Sequence, residues 1–252
     1  REGVSIAGTH GKTTTTGMVA TMLDHAGADP SYVIGSPLAS TGESAHLGGG
    51  EVFVVEADES DGSFLQYPSQ IVVVTNVEAD HLDNWGPPQA YFDGFVSMAT
   101  RPEVRYVVTN VDDPGAAELA ARLESTGTVK VVTYGESEQA EVQLVDLDLA
   151  GTTASATPVP RSTPGRIEPQ VPGRYNVSNA AAAYCVGSLL GIDHDELLTG
   201  IGAFTGTLRR FQLVGRVGGV AVFDDYAPHP TELRATLGAA RRAVTGQGRG
   251  IA

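Results

Sequence analysis

The sequence predicts an α/β fold: a mostly parallel sheet with flanking helices, and a small antiparallel β add-on past the middle of the chain. Three observations point there. Short β-branched runs recur that are apolar almost throughout, as strands covered on both faces must be. Stretches with helical spacing separate several of them, an alternation that calls for right-handed crossovers. A glycine loop, "GTHG" at 8–11, joins the first run to the first helical stretch.

Taken in order, strands are expected at 4–7, 52–55, 71–75, 104–109 and 129–133, and helices at 13–26, 88–100 and 112–124. From 141 to 171 the pattern changes to "VQLVDLDLAGTTASATPVP", which alternates with period two and carries Gly, Pro and Thr at its turns. That is the expected antiparallel add-on. An alanine-rich helix follows at 176–190, stopped by Gly191, and a shorter one at 195–201. The segment "GRVGGV" then interrupts, and a fresh strand "VAVFDDY" and helix "HPTELRATLGAARRAV" begin. A domain boundary is expected there. Arg1 leads within two residues into the first strand, and the closing "GQGRGIA" stops where another strand could begin, so a piece of a longer protein is expected.

The chain has 252 residues, enough to bury a sizeable core. Sixteen Lys and Arg against thirty Asp and Glu leave a formal charge of -14. A broad basic footprint for nucleic acid or an anionic membrane is thereby excluded, and any anion must be held locally. Cys185 is the single cysteine, so no internal disulfide forms. No apolar run approaches the roughly 20 residues of a membrane span, and no secretory leader is recognisable. The expectation is a cytoplasmic protein.

The chemistry begins at "GTHGKTTTT". A strand delivers the backbone into Gly8, Thr9, His10 and Gly11, and the helix beginning near Lys12 aims its free N–H groups back at the loop. That is a phosphate cradle. Lys12 would neutralise phosphate oxygens, and the hydroxyl of Thr13 would ligate Mg²⁺. The usual eight-residue signature has glycine where Ile6 stands, so this is a shortened variant. His10 either touches phosphate or caps the turn. Metal ligands should collect at the carboxyl ends of neighbouring strands. Glu56 ends the run "VFVV", and His81 follows "IVVVT" through "NVEADHLD". Mg²⁺ favours oxygen ligands, so histidine is an unusual one. "EADESD", with Glu56, Asp58, Glu59 and Asp61, is a solvated acidic run, a cation site or a polar substrate wall. Trp85 is expected to pack under the metal loop, Cys185 to lie in the core, and His25, His46 and His194 to sit on the surface.

Six segments in order, "GTHGKTTTT", "EADESDGSF", "TNVEADHLD", "PGRYNVSNAAAA", "FTGTLRRFQ" and "DDYAPHPTE", make the chain resemble the Mur ligases over nearly its whole length. Within that family it is most similar to the branch that adds L-alanine to UDP-N-acetylmuramate in peptidoglycan biosynthesis. The resemblance implies a P-loop-type central ATP-binding domain over 1–213 and the first β-α unit of a truncated, Rossmann-like C-terminal domain over 214–252. It further implies that ATP and Mg²⁺ are used, with Lys12, Thr14 and the loop amides on the phosphates. Thr13 and Glu56 would hold one Mg²⁺, and His81 would help hold a second. Asn179 would contact adenine, Arg210 the γ-phosphate and Asp225 the ribose. The DESD segment would lie close to the muramoyl carboxylate.

Two departures stand out. The family has histidine at the position of Tyr175, and it reads D-Y-A-H where this chain has Asp225, Tyr226, Ala227 and Pro228. His229 follows one position later and is expected to point elsewhere. Lys12 and Lys130 are the only lysines, so the carbamylated lysine of sister ligases has no candidate here, as in the alanine-adding branch. The rival expectations are a folylpolyglutamate-type or different Mur ligase, a simple P-loop kinase or ATPase, and a nucleotide-binding fragment without activity.

Overall fold

The computed structural model describes residues 1–150, 153–159, 165–244 and 250. The strand expected near 246–252, and the turn at 160–164 of the add-on, lie outside the described residues except for Gly250.

The apolar runs become β1 (Glu2–Ala7), β4 (Val52–Glu56), β5 (Ile71–Val74), β6 (Tyr106–Asn110) and β7 (Lys130–Gly135). Two short strands that carry no such run, β2 (Ser31–Val33) and β3 (Ala45–His46), were not expected. With β8 (Val142–Asp148) and β9 (Ser155–Val159) they form one nine-stranded sheet of order β3-β2-β4-β1-β5-β6-β7-β8-β9. Only β3 and β9 run antiparallel to their neighbours. The 141–171 region is therefore less separate than its alternating pattern implies. β8 joins β7 in parallel at Tyr134↔Val142 and Gly135↔Gln143, and β9 closes the edge.

Helices cover both faces. On one side α1 (Lys12–His25), α5 (Arg174–Leu189) and α6 (His194–Gly202) pack together and onto the sheet, around a core that includes Met18, Met22, Ala181 and Phe204. On the other, α3 (Pro88–Ala99) and α4 (Pro114–Thr126) cover Val72, Val74 and Val107 with Phe92, Phe95, Leu119 and Leu123. Start signals are local: proline opens α3 and α4, where its missing N–H costs nothing, and the Asp113 carboxylate accepts from Ala116 N–H. Gly127, with φ 62°, ends α4.

Beyond residue 211 the chain forms a separate two-stranded antiparallel sheet, β10 (Gln212–Val217) with β11 (Val220–Asp224), turned by Gly218 and Gly219, then α7 (Pro230–Ala243). The "GRVGGV" interruption is this hairpin, and β10 runs across the expected boundary at 213. His229 caps α7 in a capping box with Glu232. Among the described residues, no helix is long and apolar enough to cross a membrane.

Candidate functional site

Register sets the site. β1 lies between β4 and β5, with Ile6 opposite Glu56 and Ala7 opposite Val74. The loop leaving β1, the last residue of β4 and the segment leaving β5 therefore meet at one carboxyl edge, where open parallel sheets bind ligands.

The loop 8–11 is stitched to residues 75–78. Thr75 and Asn76 side chains donate to His10 O at 2.6 and 2.8 Å, His10 N–H donates to Asn76 Oδ1 at 2.8 Å, and Thr9 Oγ1 donates to Glu78 O at 2.9 Å. Gly8 and Gly11 need to be glycine: φ is 125° and 85°, and a Cβ would come 2.2 Å from Thr75 Oγ1 and 2.7 Å from Asn179 Oδ1, respectively. No side chain caps α1, so its first amides remain directed at the loop.

Thr13 Oγ1 donates to Glu56 Oε1 at 2.8 Å, and Gly35 N–H donates to the other carboxylate oxygen at 2.5 Å. The two residues expected to share a Mg²⁺ are thus in contact. His81 sits with φ 51° before the one-turn helix α2 (Leu82–Trp85) and lines the same cavity of about 580 Å³ as Lys12, Thr13 and Glu56. Its Nε2 lies 3.8 Å from Asp80.

Lys12 is turned back. Its ammonium donates to Gly8 O at 2.7 Å and Thr9 O at 3.1 Å, and pairs with Glu59 at 2.8 Å. Glu59 is 1 % exposed. Burial raises its pKa and Lys12 opposes the rise. The acidic run is therefore not uniform. Asp58 is exposed, and hydrogen bonding from Ser60 outweighs the partial desolvation of its carboxyl and lowers its pKa, while Asp61 is exposed and lowered by Ser63. Trp85 packs as expected: its Nε1–H donates to Glu59 O at 2.8 Å and its ring meets Phe64 and Tyr91 edge-on.

A second cavity of about 330 Å³ opens on the other side of the loop. Asn179, 6 % exposed on α5, lines it from below, with Gly11 and Thr14 beside it. Tyr175, one turn before Asn179 on α5, lines it too, as do Asp225 and Thr236 from beyond residue 211, and Asp225 accepts from the Thr236 hydroxyl. Burial and the neighbouring Asp225 push the Tyr175 phenol up. Arg210 borders both cavities. Its guanidinium donates to Tyr226 O at 2.6 Å and stands 3.8 Å from Glu232. Arg209 and Phe211, flanking it, have φ of 59° and 48°, a conformation costly for side-chain-bearing residues.

His10 does more than cap. Nε2 faces Glu78 at 3.1 Å and Nδ1 faces Glu232 at 3.3 Å, and its ring lies 4.6 Å from that of His229. Burial disfavours its charge, but hydrogen bonds to Glu232 and Glu78 prevail and raise its pKa. His229, which follows the position where the family has its histidine, faces the glycine loop: Nδ1 lies 3.9 Å from Glu78 Oε2. His194 is likewise not a plain surface residue: it is half-buried, with Nδ1 2.8 Å from the Tyr184 hydroxyl. Sequence reasoning missed Asn76, Glu78 and Glu232. Asn76 and Glu78 lie in "TNVEADHLD" and Glu232 in "DDYAPHPTE", but nothing in their spacing separates them from other polar residues.

The sequence model of one family, the Mur ligase middle domain, matches residues 6–187. The UDP-N-acetylmuramate–L-alanine ligase of Cutibacterium acnes (strain DSM 16379 / KPA171202) is 88% identical over 252 residues, which are 100% of this chain and 54% of that protein. The enzyme of the same name from Clavibacter sepedonicus is 48% identical over 249 residues, 99% of this chain and 51% of the relative. The chain spans about half the length of the curated relatives it matches. Among solved structures, UDP-N-acetylmuramate-alanine ligase MurC from Thermotoga maritima superposes with a TM-score of 0.83 at 29% identity, covering 96% of this chain and 54% of that one.

Proposed function

Because the chain belongs to the Mur ligase family, we propose that it is the ATP-binding portion of a cytoplasmic enzyme that joins L-alanine to UDP-N-acetylmuramate during peptidoglycan synthesis. The relatives that match it end to end carry that name. The observation that carries the reading is the Thr13–Glu56 contact at 2.8 Å beside an uncapped helix start and the Lys12 ammonium. An oxygen-donor pair there suits Mg²⁺, which binds through one or two carboxylates and substrate phosphates. Bound Mg²⁺ would supply charge neutralisation on the phosphate oxygens.

In this reading the nucleoside lies in the 330 Å³ cavity, between Asn179 on one wall and Asp225 on the other. The phosphates pass over Gly11 and Thr14 toward the larger cavity, where Lys12, His81 and Arg210 converge. A muramoyl carboxylate placed there attacks the γ-phosphorus, ADP leaves, and an acyl phosphate results. The amine of L-alanine then displaces inorganic phosphate from the acyl carbon and loses a proton. Phosphoryl transfer of this kind asks the protein for positioning and countercharge. Arg210, and Lys12 once it turns from Glu59 toward the phosphates, would supply the charge by which a chain of net -14 holds a polyanion.

Residues 214–252 belong, in the same reading, to the start of a C-terminal domain, and 1–213 to the central one. The two-stranded β10–β11 sheet leaves Val214, Val217 and Val220 between 62% and 82% exposed. Such a hairpin is marginal alone and fits a larger sheet.

The test is Glu56→Gln in the full-length enzyme, which keeps an acceptor for Gly35 N–H and removes the charge. Phosphate release that requires both UDP-N-acetylmuramate and L-alanine should need about tenfold or more Mg²⁺ for half-maximal rate. An unchanged Mg²⁺ titration would remove Glu56 from the site.

A further inference from the structure

We propose that His10, Glu78 and His229 form a binding site for a borderline divalent cation of the Zn²⁺ type, distinct from the oxygen-donor site at Thr13 and Glu56. Such an ion would fasten α7 to the glycine loop.

The three side chains come from three places in the fold: the loop after β1, the segment after β5 and the N-cap of α7. One ligand atom from each lies within 4.8 Å of the other two. His10 Nε2 is 3.1 Å, and His229 Nδ1 3.9 Å, from the same oxygen of Glu78, Oε2. Zinc bonds of about 2.0–2.2 Å at tetrahedral angles put neighbouring ligand atoms about 3.3 Å apart. The two separations from Glu78 Oε2 bracket that value, and the two imidazole nitrogens lie within 4.8 Å of each other, so side-chain rotation that draws the rings together would close the site. The two imidazoles already lie side by side, 4.6 Å between centroids.

A fourth residue completes the arrangement without touching the ion. Glu232 Oε1 stands 3.3 Å from His10 Nδ1, on the far side of the ring from Glu78. A histidine that ligates through one nitrogen and donates its other N–H to a carboxylate is oriented and made more basic, as at zinc sites generally. His10 would bind as the neutral ring, with Nδ1–H on Glu232 and the Nε2 lone pair on the ion. His229 Nδ1 now accepts from Thr231 N–H at 3.3 Å. Coordination would take over that lone pair, and the exposed amide would turn to water. Two imidazoles and one carboxylate favour Zn²⁺ or Co²⁺ over Mg²⁺. All three residues are half-buried, so a fourth position remains open to solvent.

The chain is titrated with Zn²⁺ against a chromophoric chelator in excess Mg²⁺, and with Co²⁺ in the visible range. One Zn²⁺ per chain and the intense d–d bands of tetrahedral Co²⁺ are expected. His229→Asn keeps a good N-cap while deleting the imidazole. It should weaken Zn²⁺ by more than about a hundredfold, since outer partners alone are worth about 10–100-fold. Glu78→Gln should do the same, and Glu232→Gln should cost about tenfold or more with the Co²⁺ bands retained. His46→Ala, at an exposed histidine elsewhere, should change nothing. Affinities of the His229 and Glu78 variants equal to that of the parent, competition by Mg²⁺, or octahedral Co²⁺ spectra would each overturn the proposal. Far-UV circular dichroism and a thermal melt of His229→Asn that match the parent's guard against loss by unfolding.

Discussion

At the level of single residues, the pair Lys12–Glu59 governs how the lysine can be tested. Glu59 is buried beneath Tyr91 and Trp85, and Lys12 is its only close cation among the described residues. Lys12→Ala therefore does more than delete the proposed phosphate ligand. It strands a buried carboxylate, which for half of a buried pair costs about 3–5 kcal/mol. Glu59 escapes part of that cost by keeping a proton. Its pKa is already raised in the parent, so the folded chain holds this proton to higher pH than the unfolded chain, and ionising it as pH rises works against folding. Removing Lys12 removes the charge that opposes the rise. The destabilisation of Lys12→Ala should accordingly be small near about pH 5 and approach the full value near about pH 8. Lys12→Ala with Glu59→Gln should lose this pH dependence. Urea denaturation of both variants at the two pH values decides it, and parallel pH profiles would show that Glu59 is not the group involved. Lys12, Thr13 and Glu56 were legible in the sequence because each is adjacent to a glycine turn or a strand end. The role of Glu59 was not, since "EADESD" offers four acids of equal standing and only burial under two aromatic rings distinguishes one.

Among elements, legibility followed burial. β5 is apolar at every position because both its faces are covered, and all four residues are buried. β2 and β3 are three and two residues long, with β3 fully exposed, and left no pattern to find. β8 looked antiparallel from its alternation, and its parallel pairing to β7 rests on contacts at Tyr134 and Gly135 that no local pattern encodes. α1 and α5 lack a polar face because they pack against each other as well as the sheet; Ala180, Ala181, Ala182 and Ala183 are all fully buried. Small residues let those backbones approach closely. Ala181→Leu should therefore overpack the contact and cost about 1–3 kcal/mol, lowering Tm by about 2–4 °C per kcal/mol. A Tm equal to that of the parent would show room that the packing does not. Cys185, on the same helix, is 2 % exposed with its thiol pushed up by burial. It should resist a thiol reagent in the native state and react fully once unfolded.

For the whole molecule, composition set a limit that the structure explains. The net charge is -14, yet three cationic residues, Lys12, Arg209 and Arg210, line one cavity at the carboxyl edge of the sheet. What composition and pattern could not reveal is that residues 225–236 close over that edge, because the contacts joining them to the loop, His10 to Glu232 and Thr231 to Glu78, span more than 150 positions of chain. The smaller cavity has Gly11, Thr14 and Asn179 on one side and Asp225, Thr231 and Thr236 on the other. A nucleotide that fills it must touch both, so its binding free energy should stabilise both against opening. With Mg²⁺ and a non-hydrolysable ATP analogue at about 100 times the dissociation constant, that stabilisation is about 2.7 kcal/mol, equivalent to about a hundredfold slowing of exchange through any opening that destroys the site. Amide hydrogen exchange should therefore slow by up to about that factor in α7 as well as in the first turn of α1, while β8 and β9, far along the sheet, change little. If slowing is confined to the first turn of α1, the far wall contributes nothing to binding, and Asp225 must be withdrawn from the nucleotide site while the phosphate loop stands.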